Sequence, residues 1–288
     1  MASPWAIYDR LIDSIPADLT VTAAGTAAKW CRITSSESGA GMAFNMPVES
    51  RPPMRGRDLV GASLREVAGL AKSWNLAEAG MGMAALNSWH SLPERAASNG
   101  FTPCAQNNWA KSFDPYREAT RGRKVAVVGH FPFAPAALAE AAELFILERN
   151  PVEGDYPDPA AEYLLPECDY VFITGSSFVN KTIPRLLELS KDAVTVMIGP
   201  STPASPILLE YGADVVTAFA CGLPALLDQG LAGRLPSGMY EAGMRVELAG
   251  PRVERSGPGV EPADRPVELS GPGVDLAGPG IQLAGPRA

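Results

Sequence analysis

His130, Glu148 and Asp155 are three ionisable side chains whose types and placement could run proton-transfer chemistry. An imidazole titrates near neutral pH, so His130 can give or take a proton in the range where metabolism works. It follows the run "KVAVVG" at 124–129, which has the charged start, β-branched residues and closing glycine of a Rossmann-type first strand. Glu148 lies nineteen positions beyond Gly129, at the end of the next apolar run. A carboxylate at that spacing is where such a domain grips ribose hydroxyls, which keeps an adenosine or S-adenosylmethionine type of ligand open. A pyrophosphate is disfavoured, because the loop reads "GHFPF" and its bulky side chains obstruct close backbone approach. Phe131 and Phe133 could stack on a flat ring or fill core beside the sheet.

Ligands of open α/β sheets sit beyond the carboxyl ends of the strands, so the residues just after each strand are the candidates. They are Gly129 and His130, then Glu148, Arg149 and Asp155 in "LERNPVEGDYP". Next come Thr174, Gly175, Ser176 and Asn180 in "TGSSFVNKT", and Gly199, Pro200, Ser201 and Thr202 in "GPSTPAS". Backbone amides of the last two turns could hold an anionic group. Asn87 and His90 share one side of a helix end and would complete an interdomain site if that end points at the sheet; capping or solvating the helix is the alternative.

These residues need positioning elements, and the chain supplies them in three parts. Residues 1–115 read as an α+β domain: Trp5, Tyr8, Leu11, Ile12 and Ile15 recur at helical spacing, two strand-like runs follow, and two capped helices come after. Ser63 with Glu66 predicts a capping box, and Asn75 caps "LAEAGMGMAALNSWH". Residues 120–242 alternate Val/Ile-rich strands with helical segments, the pattern of a parallel sheet covered on both faces. From Val246 to Arg287 the chain repeats a seven-residue unit six times, and proline in every unit forbids a continuous helix. With one or two apolar residues per unit, 246–288 reads as a disordered tail whose partner the sequence does not name.

The net charge of −8 and the lack of a Lys/Arg cluster argue against nucleic acid or an anionic membrane as partner. The start "MASPWAIYDRL" lacks the basic and apolar regions of a secretory signal, and no apolar run approaches membrane-spanning length. Four scattered cysteines without a CxxC pair fit a reducing cytoplasm. With two histidines and no Cys/His cluster, no intrinsic metal site is evident.

"VVGHFPF", "LERNPVEGDYP", "FITGSSFVNKT" and "GPSTPASPILLEYGAD", in this order, resemble the heavy-metal chelation family. "WAIYDRLIDSIP" and "SLREVAGLAKSWNLAEAGMGMAALNS" are similar to the domain that precedes it. The resemblance implies an enolase N-terminal-like α+β domain, then a Rossmann-like domain partly similar to methyltransferases, with a site between them. It also implies condensation, cyclisation or hydrolysis of a chelator-, siderophore-, pterin- or flavin-like molecule, linked to heavy-metal handling. One departure is "ALNSWHS", where His90 and Ser91 replace the family's aromatic and second Asn.

The reading is therefore a cytoplasmic enzyme acting on a small, ring-containing metabolite, its cofactor unknown. His130 is the proton-transfer group, with Glu148 and Asp155 as orienting or basic carboxylates. The alternatives are a non-catalytic carrier of a metal–chelator complex and an adenosine-ligand protein.

Overall fold

The computed structural model describes residues 3–27, 29–55 and 58–254. The chain opens with α1 (Ala6–Asp13), started by Ser3, whose Oγ and carbonyl accept from the amides of Trp5 and Ala6. Tyr8, Leu11, Ile12 and Ile15 turn inward, as their spacing predicts. An antiparallel meander follows: β1 (Val21–Ala27), β2 (Trp30–Ser35) and β3 (Ala40–Phe44). Then come α2 (Leu64–Gly69), α3 (Leu76–His90) and α4 (Pro93–Ser98).

Asn75 caps α3 as expected, its side chain accepting from the Glu78 amide at 3.1 Å. The capping box at α2 does not form: Ser63 makes no side-chain cap, and Glu66 reaches outward to Arg55 at 3.2 Å. An ion pair with a guanidinium competes here with the weaker local bond. The helix α3 lies so close on β3 that a Cβ at Gly41 would sit 2.1 Å from the Ala84 carbonyl oxygen. Real Cβ contacts never come that near, so only glycine fits this approach.

The larger sheet is built from β4 (Thr102–Pro103), β5 (Lys124–Val128), β6 (Glu143–Glu148), β7 (Tyr156–Pro157), β8 (Tyr170–Thr174), β9 (Val194–Ile198), β10 (Val215–Cys221) and β11 (Gly243–Ala249). Its order is β4-β11-β10-β9-β8-β5-β6-β7, with β5 to β10 parallel and β11 antiparallel to both β10 and β4. Numbered among themselves, the parallel strands run 3-2-1-4-5-6, the dinucleotide-fold order, with its switch point between β5 and β8. The connections carry α5 (Ala134–Ala137), α6 (Ala161–Leu164), α7 (Ile183–Leu189), α8 (Ile207–Glu210) and α9 (Pro224–Leu231); α10 (Pro251–Glu254) closes the described chain.

Side chains alternate between the faces of this sheet, and both faces are covered. Ala126, Val171, Ile173, Met197 and Val216 join one core, which runs without a break into α1, α2 and α3. Val125, Val127, Phe172, Val196 and Phe219 join the other, with Trp109, Phe113 and Tyr116. Phe113 meets Phe131, Phe133 and Phe172 at ring-centroid distances of 5.5, 5.7 and 5.1 Å. Phe131 and Phe133 thus pack half-buried against this core, and Phe131 also borders the cleft described below.

Two expected boundaries shift. Thr102–Pro103 and the 109–115 stretch, read with the first domain, pack into the second, because β4 extends its sheet and Trp109 and Phe113 fill its core. Val246 to Ala249, read as the start of the repeat, form the end of β11 and pair with Val215 to Ala218 of β10. The tail from 255 onward lies outside the described residues.

Candidate functional site

Between the meander and the carboxyl edge of the parallel sheet lies a cleft of about 830 Å³. It opens at the switch point, where Gly129 follows β5 and Thr174 ends β8. Neighbouring strands whose crossovers leave in opposite directions part their loops there. From the first unit, Lys29, Trp30, Phe44, Met46 and Val48 form the opposite wall.

At the mouth stands His130, backed by Asp155, which is not itself among the lining residues. Nδ1 of His130 lies 2.9 Å from Asp155 Oδ2 and 3.1 Å from Oδ1. The Asp155 side chain is almost fully enclosed while His130 keeps 36 % of its side chain exposed. A carboxylate only accepts, so Nδ1 carries the hydrogen, and in the neutral ring Nε2 is left with its lone pair. Asp155 is itself fixed by the Val152 amide at 3.1 Å. Gly129 turns the chain at φ +106°, and a Cβ there would come within 3.0 Å of the Thr174 side chain. That turn is what carries His130 out over the cleft.

Glu148 lines the cleft but spends its carboxylate on the backbone. Oε2 accepts from the His130 amide at 2.9 Å, and Oε1 from the amides of Arg149 and Asn150 at 2.7 and 3.3 Å. It therefore orients the His130 loop, and a ribose would compete with three donors already in place. Arg149 donates to Asp158 at 3.0 Å on the same rim.

Thr174 and Ser176 also line the cleft, their hydroxyls 3.1 Å apart. The Ser176 amide turns to Thr174 Oγ1 and the Thr202 amide to the Gly199 carbonyl. These two amides are spent inside their turns, which reduces the expected anion nest. Gly199, at φ +116°, and Pro200 reach the cleft wall. Asn180 does too, and its Oδ1 accepts from the Thr182 amide and hydroxyl at 3.1 and 2.7 Å.

Five sequence candidates serve elsewhere, wholly or in part. Asn87 is buried and donates to the carbonyls of Met42 and Ser201 at 2.8 and 3.1 Å, pinning the two units together. Ser201 borders the cleft, yet its Oγ accepts from the Phe44 amide at 2.8 Å in the same seam. Thr202 is fully buried. Gly175 is buried as well, and a Cβ there would come within 2.4 Å of the Thr202 amide nitrogen. His90 does not complete the site. Its Nε2 sits 3.1 Å from the Leu11 carbonyl oxygen and 3.2 Å from Ser14 Oγ, and burial lowers its pKa to about 4. The His90 ring turns into α1, while the C-cap Ser91 meets the sheet edge, its Oγ and carbonyl accepting from the amides of Ala204 and Cys221.

Lys181 was missed by sequence reasoning. It lines the cleft next to Asn180, its backbone is left-handed at φ 68°, and burial lowers its amine to about 7. The available signal was its place in "TGSSFVNKT", one residue past the last candidate taken from that loop.

Residues 8–90 and 111–224 match the DUF4213 and DUF364 families, both described as "Putative heavy-metal chelation". A DUF364-family crystal structure of unknown function from Desulfitobacterium hafniense is 40% identical, with a TM-score of 0.77 over 85% of this chain and 98% of that one. The chain belongs to this family. A DUF364-family protein of unknown function from Pyrococcus horikoshii shares the fold at 19% identity, with a TM-score of 0.66 over the same shares of the two chains. An uncharacterised protein of Methanocaldococcus jannaschii is 25% identical over 184 residues, 62% of this chain and 68% of its own.

The family description raises the question of a metal, and the donor set answers it poorly. Among the described residues no three His, Cys, Asp or Glu side chains gather as a metal site. Burial pushes the thiols of Cys31, Cys168 and Cys221 up to about 12, 12 and 11, which opposes thiolate formation. None of the four cysteines is among the residues lining the cleft. The residues present do not fit a soft metal held directly by this chain. No helix among the described residues is long and apolar enough to cross a membrane.

Proposed function

We propose that the cleft binds a small, polar, ring-containing organic molecule of the chelator, pterin or flavin kind, and that the protein is a cytoplasmic enzyme acting on it. The observation that carries this reading is the His130–Asp155 pair set at the switch-point cleft. A buried carboxylate fixes one ring nitrogen and frees the other to move a proton at the ligand, which condensation, cyclisation and hydrolysis all require. Trp30 and Phe44 offer aromatic surface on the facing wall. A heavy metal would arrive as cargo on the organic molecule, consistent with the hard, thiol-free lining. The adenosine reading is weakened by the three amides on Glu148; the carrier reading differs only in lacking turnover.

Native mass spectrometry of freshly purified protein, repeated after denaturation, tests this. An organic mass lost on denaturation supports the reading; a metal mass without organic companion contradicts it. Incubated with the retained compound, wild type converts it while His130→Ala binds without converting. Equal loss of binding and conversion would favour the carrier.

A further inference from the structure

Lys181 is not used by the proton-transfer pair, yet the fold places it with care. Among the described residues only Ser38 and Lys181 are non-glycine residues at positive φ. That conformation costs an L-residue with a long side chain roughly 1 kcal/mol or more and suits glycine or asparagine better. The turn enforcing it is held by Asn180 Oδ1, which accepts from both the amide and the hydroxyl of Thr182. The ammonium end donates to the Val179 carbonyl at 2.8 Å and, among the described residues, makes no ion pair. The two cleft arginines differ: Arg149 is paired with Asp158, and Arg185 with Glu162 and Glu188.

We propose that Lys181 is an amine nucleophile of this cleft and forms an imine with an aldehyde or ketone group of the ligand. The inference rests on the cleft reading above and adds a substrate class to it, a carbonyl compound. Burial supports it by lowering the amine to about 7, against the weaker opposing pull of Glu78 on α3. Lys29, Glu148, Asp158 and Glu162 are the other charged groups on the walls beside those arginines and His130. At neutral pH a large share of such an amine is unprotonated, and an unprotonated amine attacks carbon where an ammonium does not.

The step balances. The Nζ lone pair bonds to the carbonyl carbon, the C=O π pair moves to oxygen, and oxygen takes the proton that nitrogen releases. The carbinolamine then loses water, giving Lys–N=C plus one H2O. A group such as His130 can move the protons in both halves. One Nζ–H bond can stay on Val179 while the lone pair attacks.

The test uses the full chain with glycolaldehyde as probe and sodium borohydride to reduce the adduct, followed by peptide mapping. The sequence holds six lysines, so five are internal controls. At pH 7 Lys181 should be labelled roughly tenfold faster or more than the others in the folded protein, and no faster after denaturation. Lys181→Arg should remove the fast label and keep the fold. Even labelling of all six lysines, or Lys181 as the slow one, overturns the inference. The readout is independent of the metabolite reading. Fast Lys181 labelling in a protein that retains no organic mass would remove that reading alone; an organic ligand beside an inert Lys181 would remove this inference alone.

Discussion

His130 and His90 are the two histidines of this chain, and their surroundings differ: one is sealed into the packed seam, the other opens on the cleft proposed to carry the chemistry. At the end of α3, His90 is shut against Leu11 and Ser14, and its neighbour Asn87 bonds across the seam to Met42 and Ser201. At the cleft mouth, His130 has one nitrogen fixed by a buried carboxylate and the rest of its ring open. The same side chain is driven neutral and structural in one place and left partly open to the cleft in the other. Burial and partners decide the difference, not residue type.

The largest way to break this comparison is at Asn87. Replacing it with leucine keeps the bulk but strands two buried carbonyls, each costing about 1–3 kcal/mol. Asn87→Leu should therefore lose about 2–6 kcal/mol in urea unfolding. A loss within measurement error would mean that the seam is not held there.

The next effect concerns His90 and acid. Its folded pKa of about 4 lies below the unfolded 6.5, so the unfolded chain binds the proton first as pH falls. The stability from keeping His90 neutral is present above pH 6.5 and is lost between there and about 4. At about 1.4 kcal/mol per unit this amounts to at most about 3.5 kcal/mol. Thermal melts of wild type and His90→Gln over that window should differ in slope, with the wild type falling more steeply. Parallel curves would contradict the burial.

Much of the fold could be read from sequence because its determinants are local. The Val/Ile runs at 124–128, 194–198 and 215–221 mark parallel strands buried on both faces. Asn75 with Glu78 marks a helix start. The switch-point loops then followed, and with them His130, Glu148 and Asp155. What stayed hidden depends on long-range partners. β4 is two residues long, one of them proline, and exists only because β11 pairs with it. The VELA of β11 looks like the repeats that follow it, so its place in the sheet leaves no local mark. Asn87 and His90 share a helix face as expected, but only the packing of α1 and the 201–202 turn shows that the face is sealed. Lys181 carries a backbone angle that sequence does not display.

The most direct test of the division between the two regions is a ¹³C–¹H NMR spectrum of histidine-labelled protein, with and without the compound it retains. Two ring signals are expected, assigned by His90→Gln and His130→Ala. The account predicts that the compound shifts the His130 signal and leaves His90 in place. A shift confined to His90, or neither signal moving on saturation, would contradict the placement of the site.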